Sequence, residues 1–490
     1  MASPPWAAAS SHEQYFVLLT GANSGVGLGI GQRLIDDFLA TRSLTSHLIL
    51  IPTTRSLKKS RETIQSLRAR VEHTARRSDR LRGRAGPDYN PQAAIDRVHF
   101  LGLQLDLCDL QSVYAAADQL VRGKLSDPAG PVKDVSVPRI DAAIFNAGIG
   151  GWSGLNWPGL ARQFVSIGLV QAATFPSYKE ALPAAVLDQK KLLGDRSAET
   201  KSPPPELAEV FCANLFGHYL FAHELMPLLS RPGGGELPPG RVVWTSSIDA
   251  GEEHLDLDDF QAQVRKPPYE SSKRITDIIV LTAELPSVQP VAAPYFSAAS
   301  APLSSAETRV TDEKSATQTV RPRFYLSHPG VVCTPLFPLN WFLFFWYHLV
   351  MYVARWLGSP WHTVEPYEGA CAPAWLALAD QGELDARNAS RVKWGSACSR
   401  SGRVVAPKKT EVDGWGWEGQ VGGLEEAVAE PPRVERDPGL HALLSNAKGR
   451  KWDAVALTEE KRVRFEEDGR RCWTELERLR REWEAALGRR

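Results

Sequence analysis

Tyr269 and Lys273 stand four residues apart in the string YESSK, a spacing that puts a phenol and an ammonium on one side of a helix. A free phenol keeps its proton up to a pKa of about 10, and a neighbouring cation lowers that value. Tyr269 is therefore a candidate proton donor, with Lys273 as the cation that makes donation easier. The spacing alone is common and gains meaning from the run RVVWTSS upstream, which ends in Ser246 and Ser247. Hydroxyls at the carboxyl edge of a strand lie where open α/β sheets hold ligands, and either serine could bond a substrate carbonyl oxygen.

A second group is Thr20-Gly21-Ala22-Asn23-Ser24-Gly25-Val26-Gly27, set between the apolar run YFVLLT and a helical pattern. Glycines there allow a tight turn and close approach of backbone to a pyrophosphate, whose charge faces the helix N-terminus. The next apolar run, HLILIP, ends at Thr53, Thr54 and Arg55 with no acid. An acid would bond the adenosine ribose and repel a 2′-phosphate, whereas a guanidinium pairs with that phosphate, so NADPH is expected over NADH.

These groups need strands to carry them. Further strand candidates lie near 98–107, 140–148, 241–247 and 323–330, with helical patterns between several of them. The alternation predicts an α/β fold: a Rossmann-like doubly wound parallel sheet with insertions and a C-terminal helical extension. The expected catalytic domain is 1–335, with insertions at about 56–96, 150–205 and 286–320, the last flexible. An apolar membrane-facing or substrate-mouth segment follows at 336–380, then an extension over 381–490. The stretch 55–84 carries eleven basic residues against three acidic ones, read as a solvated helix face leading into the loop GRAGPDYNPQ. On this reading the insertions at 150–205 and 286–320 are not needed for chemistry.

From Val331 to Ala354 the chain has no Asp, Glu, Lys or Arg. Pro335 and Pro338 interrupt its start, and 339–354 is short for a full crossing, while Trp341, Trp346, Tyr347 and Tyr352 are residue types favoured at a membrane interface. A monotopic membrane-facing helix beside the substrate mouth is expected. A buried core or dimer helix and a true span are the other readings. The tail from Thr458 reads as a charged helix, with Thr458 as N-cap and Leu476, Leu479, Trp483 and Leu487 along one stripe suited to docking or oligomer contact.

With 57 basic and 57 acidic residues among 490 and 43% hydrophobic content, the chain reads as an ordinary folded protein with no expected nucleic-acid partner. Its six cysteines are scattered without close pairs, so no metal site or disulfide framework is expected and a reducing compartment is the simpler reading. The N-terminus shows no secretory signal pattern, which makes the Asn388-Ala-Ser390 sequon a chance match.

Taken in order over roughly 13–335, these residues resemble the short-chain dehydrogenase/reductase family. The resemblance implies that Thr20, Gly21, Asn23, Ser24, Gly25, Val26 and Gly27 form the cofactor loop. It implies Asp106 as the adenine contact, Asn146-Ala147-Gly148 as the turn after the fourth strand, and His328-Pro329-Gly330 as the loop at the nicotinamide. Asn214, in FCANLFGHYLF, matches the helix asparagine that holds a proton-relay water, and Tyr269 and Lys273 would also bind the cofactor, Lys273 at the nicotinamide ribose. Phe145 departs from the pattern, where many members have a second Asn. The interval from Ser247 to Tyr269 is longer than usual, so Ser246 stays a rival for the catalytic serine.

A finer resemblance is to fungal 3-keto-steroid reductases of sterol C-4 demethylation, relatives of the vertebrate 17-beta-hydroxysteroid dehydrogenase type 7. It rests on LTGANSGVGLGIGQRLI, TSSIDA, YESSKR, SHPGVV, the aromatic segment, WHTVEPYEGA and KWGSACSRSGR. It implies reduction of a sterol C-3 ketone at the endoplasmic reticulum membrane or lipid droplets, with the catalytic domain cytosolic and other demethylation enzymes as candidate partners. A reductase for another apolar carbonyl (a 17-ketosteroid, retinoid, fatty aldehyde or polyketide) and a non-catalytic scaffold of a sterol-synthesising complex stay open.

Overall fold

Alternate residues of the first apolar run point to opposite faces of a sheet, and both faces are covered. Phe16 and Leu18 belong to one buried cluster, Val17 and Leu19 to another, as a strand packed between two layers of helices requires. The computed structural model describes residues 3–194, 204–265, 267–297, 319–334, 339–422 and 449–489. Its strands are β1 (Gln14–Leu19), β2 (His47–Thr54), β3 (Val98–Phe100), β4 (Leu103–Gln104), β5 (Ala142–Phe145), β6 (Trp152–Leu155), β7 (Lys179–Ala181), β8 (Arg241–Thr245), β9 (Arg323–His328), β10 (Lys393–Cys398) and β11 (Val405–Thr410). The principal helices are α1 (Gly25–Thr41), α2 (Leu57–Arg77), α3 (Leu110–Val121), α4 (Trp157–Thr174), α5 (Gly217–Glu224), α6 (Pro268–Thr282), α7 (Trp341–Trp356), α8 (Cys371–Leu378) and α9 (Glu459–Ala486).

The main sheet runs β3-β2-β1-β5-β8-β9-β10-β11, with β4 also on β2. Its pairings are parallel except β10 with β11. The chain leaves β1 toward β2 on one side and toward β5 on the other. That reversal opens a crevice beyond the carboxyl ends of the strands, the expected ligand position in this architecture. Helices α1, α2 and α8 contribute to the cluster on one face, and α3, α5, α6 and α9 to the other. The α/β doubly wound expectation holds.

The sheet continues past residue 335. Lys393, Trp394 and Gly395 of β10 pair with Leu326, Ser327 and His328 of β9, and β11 closes the edge antiparallel. KWGSAC does not read as a strand because its buried polar groups are satisfied through space: Lys393 bonds Asp277, and Ser396 Oγ donates to the Gly369 carbonyl at 2.7 Å. The stretch after β2 also differs from an insertion. Ser60, Thr63, Ile64, Leu67 and Val71 of α2 are buried, so α2 is the crossover helix of the first βαβ unit and its basic residues occupy the remaining faces. In the GRAGPDYNPQ loop, the Asn90 side chain caps a short helix at Pro91–Ile95.

Thr458 caps α9 by accepting from the Lys461 N–H at 3.3 Å. Phe465, Cys472, Trp473, Leu476, Leu479 and Trp483 are buried, and the Trp473 indole donates to the Ile279 carbonyl of α6. The stripe docks, as its spacing suggests. Among the described residues no helix is long and apolar enough to cross a membrane. The third insertion is expected to be flexible over about 286–320, yet Gln289–Ser297 form a helix with Ala292 and Tyr295 buried; 298–318, like Pro335 and Pro338, lie outside the described residues.

Candidate active site

The glycine turn after β1 is shaped by close approach. Gly21 has φ +67° and Gly25 φ +52°, and a Cβ on Gly27 would lie 2.0 Å from the Gly21 carbonyl oxygen. A side chain there would fill the cradle. The turn borders a cleft of ≈ 410 Å³ whose walls include Gly21, Asn23, Ser24, Gly25, Val26, Gly27, Arg55, Asp106, Asn146, Ala147, Gly148, Tyr269, Lys273 and Pro329. Thr20, Asn214, Ser247 and Gly330 do not border it. Thr20 instead organises the turn from below, its Oγ1 accepting from the N–H groups of Asn146 (2.9 Å) and Ala147 (3.1 Å) and meeting His218 Nε2 at 2.9 Å. Burial pushes His218 down to about 3, so it stays neutral. Phe145 stacks on that imidazole with ring centroids 4.9 Å apart, a core role in place of the family's turn asparagine. Gly330, with φ +77°, leaves room for the Trp361 carbonyl, 2.3 Å from where its Cβ would be.

At the end of β2, Thr53 and Thr54 are buried and Arg55 is exposed at the rim. Pairing of β4 with β2 brings Asp106 to the same end of the cleft. A glycine cradle, the N-terminus of a seventeen-residue helix and a rim guanidinium without a rim acid after β2 fit a dinucleotide carrying a 2′-phosphate.

Pro268 starts α6 and places Tyr269 in its first turn. Tyr269 is half-buried, and the Ser247 hydroxyl is near enough to favour its ionised form. The Ser246 hydroxyl is turned away, bonded to Asp277 of α6 and, at 3.4 Å, to the Lys273 carbonyl. Ser246 borders the cleft, whereas Ser247 is the serine beside the phenol. Lys273 Nζ donates to the Thr245 carbonyl at 2.8 Å and lies 5.5 Å from the Tyr269 ring centroid. Burial pulls the Lys273 ammonium down to about 8, with Asp277 opposing. Burial pushes the Tyr269 phenol up to about 12, and the foremost charge opposing that rise is Lys179, not the expected Lys273. A phenol so placed is protonated at neutral pH, as a donor must be.

Asn214 sits in a π-helical turn, Cys212–Phe216, leading into α5. Its Oδ1 accepts from the Ile149 N–H at 2.8 Å, and its amide donates to the Ile149 carbonyl (3.0 Å) and Ser272 Oγ (3.1 Å). It pins the loop after β5 to the catalytic helix.

The insertion at 150–205, expected to be dispensable, reaches the reacting group. The hairpin β6–β7 puts the Trp152 ring 4.6 Å from that of Tyr269 and sets Lys179 between Asp249 and Glu270. Sequence reading missed this because hairpin and helix are far apart along the chain. Two signals were available: Glu270 lies inside YESSK, and Asp277 continues the four-residue spacing of Tyr269 and Lys273. The buried partner of Asp277, Lys393, comes from β10.

No protein-family model matches the chain. Over 491 residues it is 48% identical to the 3-keto-steroid reductase ERG27 of Gibberella zeae, covering 99% of this chain and 98% of the relative. It is 40% identical over 480 residues to the 3-keto-steroid reductase erg27 of Aspergillus fumigatus, covering 96% and 94%. A crystal structure of a 3-oxoacyl-[acyl-carrier protein] reductase from Brucella melitensis in complex with NAD is 14% identical, with a TM-score of 0.36 over 75% of this chain and 90% of that one. The end-to-end match to the first two relatives shows that the chain belongs to the family of the 3-keto-steroid reductases.

Proposed function

We propose that this protein uses NADPH to reduce the C-3 ketone of sterol intermediates to the 3-hydroxyl in ergosterol-type biosynthesis. The carrying observation is the position of Tyr269: half-buried, beside Ser247, and on the wall of the cleft that the glycine turn also borders. It sits in a chain aligned end to end with enzymes named for this reduction.

The Gly21–Gly27 turn and the N-terminus of α1 would hold the pyrophosphate, Arg55 the 2′-phosphate, Asp106 the adenine, Asn146 to Gly148 and Lys273 the ribose side, and Pro329 and Gly330 the nicotinamide end. When bound, NADPH supplies the hydride. Ser247 bonds the ketone oxygen and orients it. Tyr269 Oη transfers its proton to that oxygen as negative charge develops, leaving a phenolate whose charge Lys273 balances. Asn214 keeps the loop after β5 against α6, and a water held there would connect Lys273 to solvent.

The test is purified protein with NADPH and a panel of 3-ketosteroids, 17-ketosteroids and aldehydes, following cofactor absorbance. The 3-ketosteroids should be consumed fastest. Faster turnover of another class would make the protein a reductase for a different apolar carbonyl, and no turnover of any would favour a scaffold.

The reading includes contact with a membrane surface, at the endoplasmic reticulum or lipid droplets, with the catalytic domain cytosolic. Helix α7 is sixteen residues, about 24 Å, and exposes Trp341 (83%), Phe345 (60%) and Trp346 (49%). Its inner side packs with Val331 and Cys333, just after Pro329 and Gly330. An aromatic face beside the substrate end suits a substrate that partitions into lipid. Replacing Trp341, Phe345 and Trp346 with Ser should abolish flotation with phospholipid vesicles, and unchanged flotation would overturn this part.

A further inference from the structure

Two carboxylates lie beside the proton donor. Glu270 follows Tyr269 in sequence, with its side chain 2% exposed. Asp249 belongs to the loop that carries the serine, its own N–H donating to Ser247 Oγ at 3.2 Å. A phenol that gives up its proton becomes an anion, and uncompensated carboxylates nearby make that anion costlier. The inserted hairpin brings in the compensating charge. Lys179 Nζ lies 2.6 Å from Asp249 Oδ2 and bonds Glu270 Oε1. It stands 4.7 Å from the Trp152 ring centroid and 6.0 Å from that of Tyr269. Trp152 Nε1 in turn donates to Glu270 Oε1 at 3.2 Å, which ties both strands of the hairpin to the first turn of α6.

We propose that Lys179 is a positioning residue for the reduction: it offsets one of the two negative charges of Asp249 and Glu270 and holds Trp152 against Tyr269, so the phenol can become a phenolate in a site that would otherwise be more acidic. The inference rests on Tyr269 as proton donor. The groups facing the phenol are Ser247 and Asp249 from the loop after β8, Glu270 and Lys273 from its own helix, and Lys179 from the hairpin. His254 stands 3.9 Å from Asp249, and Tyr178 adjoins Lys179 in sequence. Burial opposes ionisation of Asp249, yet Lys179 holds it down at about 2, so the carboxylate is charged throughout the working range.

The experiment compares Lys179→Met, Lys179→Arg and Lys179→Met/Glu270→Gln in full-length protein. Each is assayed as a pH profile of kcat for ketone reduction and for oxidation of the corresponding alcohol, with NADPH affinity measured separately. Lys179→Met should lower kcat roughly tenfold or more and move the limb assigned to Tyr269 to higher pH, with NADPH binding little changed. Oxidation, which needs the phenolate at the outset, should lose more than reduction. Lys179→Arg should recover most of the rate, and removing the Glu270 charge should restore both rate and profile in part. The double variant also guards against a single variant that fails to fold. A pH profile that stays in place in Lys179→Met, or in the double variant should the single one not fold, overturns the proposal, as does equal loss in all three. If Tyr269→Phe retains full activity, the donor assignment has failed rather than the role of Lys179.

Discussion

The two walls of the cleft are built differently. The cofactor wall is made by backbone: a glycine turn over seven residues, a strand end at Thr53 to Arg55, and a turn at Asn146 to Gly148 tied to Thr20. The catalytic wall is made by side chains that converge on α6 from distant parts of the chain. Lys179 reaches Glu270 across 91 positions, Lys393 reaches Asp277 across 116, and Trp473 reaches Ile279 across 194. A wall set by backbone leaves a local signature, because only certain residues permit the turn. A wall set by remote partners leaves none in any one segment.

Tyr269→Phe should separate the walls most sharply. It removes the proton without disturbing the glycine turn, so turnover should fall by about 10²- to 10⁴-fold while NADPH affinity is retained. Parallel kinetics and cofactor fluorescence titration check this. A matching loss of cofactor binding would mean that the walls are not independent.

Next is the buried pair beneath the donor. Lys393 and Asp277 side chains are 3% and 0% exposed, and Ser246 also bonds Asp277. Lys393→Met leaves a buried carboxylate without its cation and should cost about 3–5 kcal/mol of stability, read by chemical denaturation. Adding Asp277→Asn should recover much of it. A loss below about 1 kcal/mol would show that β10 matters less to the catalytic wall than its contacts imply.

The fold was legible where apolar runs and glycine punctuation coincide, so β1, β2, β5, β8 and β9 were placed within a few residues. β10 and β11 were not, because KWGSAC and VAPKKT bury or pair polar groups and show no apolar run. In the site, Gly21, Gly25, Tyr269 and Lys273 could be read because backbone geometry or helical spacing restricts them. Ser246 and Ser247 could not be told apart until Asp277 was found to hold Ser246. Lys179 was invisible because nothing in PSYKEA marks it, and its meaning depends on a hairpin register that pairs Lys179 with Leu155.

A smaller effect tests the cofactor wall alone. Arg55→Ala removes the rim guanidinium and should raise the NADPH Michaelis constant by about 10- to 100-fold, in line with the loss of a charge-assisted pair. The constant for NADH should change little. Equal shifts for both cofactors would place Arg55 outside 2′-phosphate recognition.

The smallest single-residue effect concerns acid stability, to which both halves contribute. His99, His218, His223 and His362 are all buried, and burial lowers them to about 4, 3, 4 and 3. Each takes a proton more readily unfolded than folded. The stability each gives by staying neutral is whole above the ordinary value of 6.5 and is lost as pH falls from there toward its folded value. At pH 5.5 the cost is about 1 kcal/mol per imidazole, so the melting temperature should drop between pH 7.5 and 5.5. His362 is the cleanest one to remove: its Nδ1 meets Ser359 Oγ at 2.7 Å and it lies outside the cleft. His362→Gln should flatten the pH dependence by about 1 kcal/mol. An unaltered slope in the melting curves of that variant would mean that the acid sensitivity lies elsewhere, in the other buried imidazoles His99, His218 and His223.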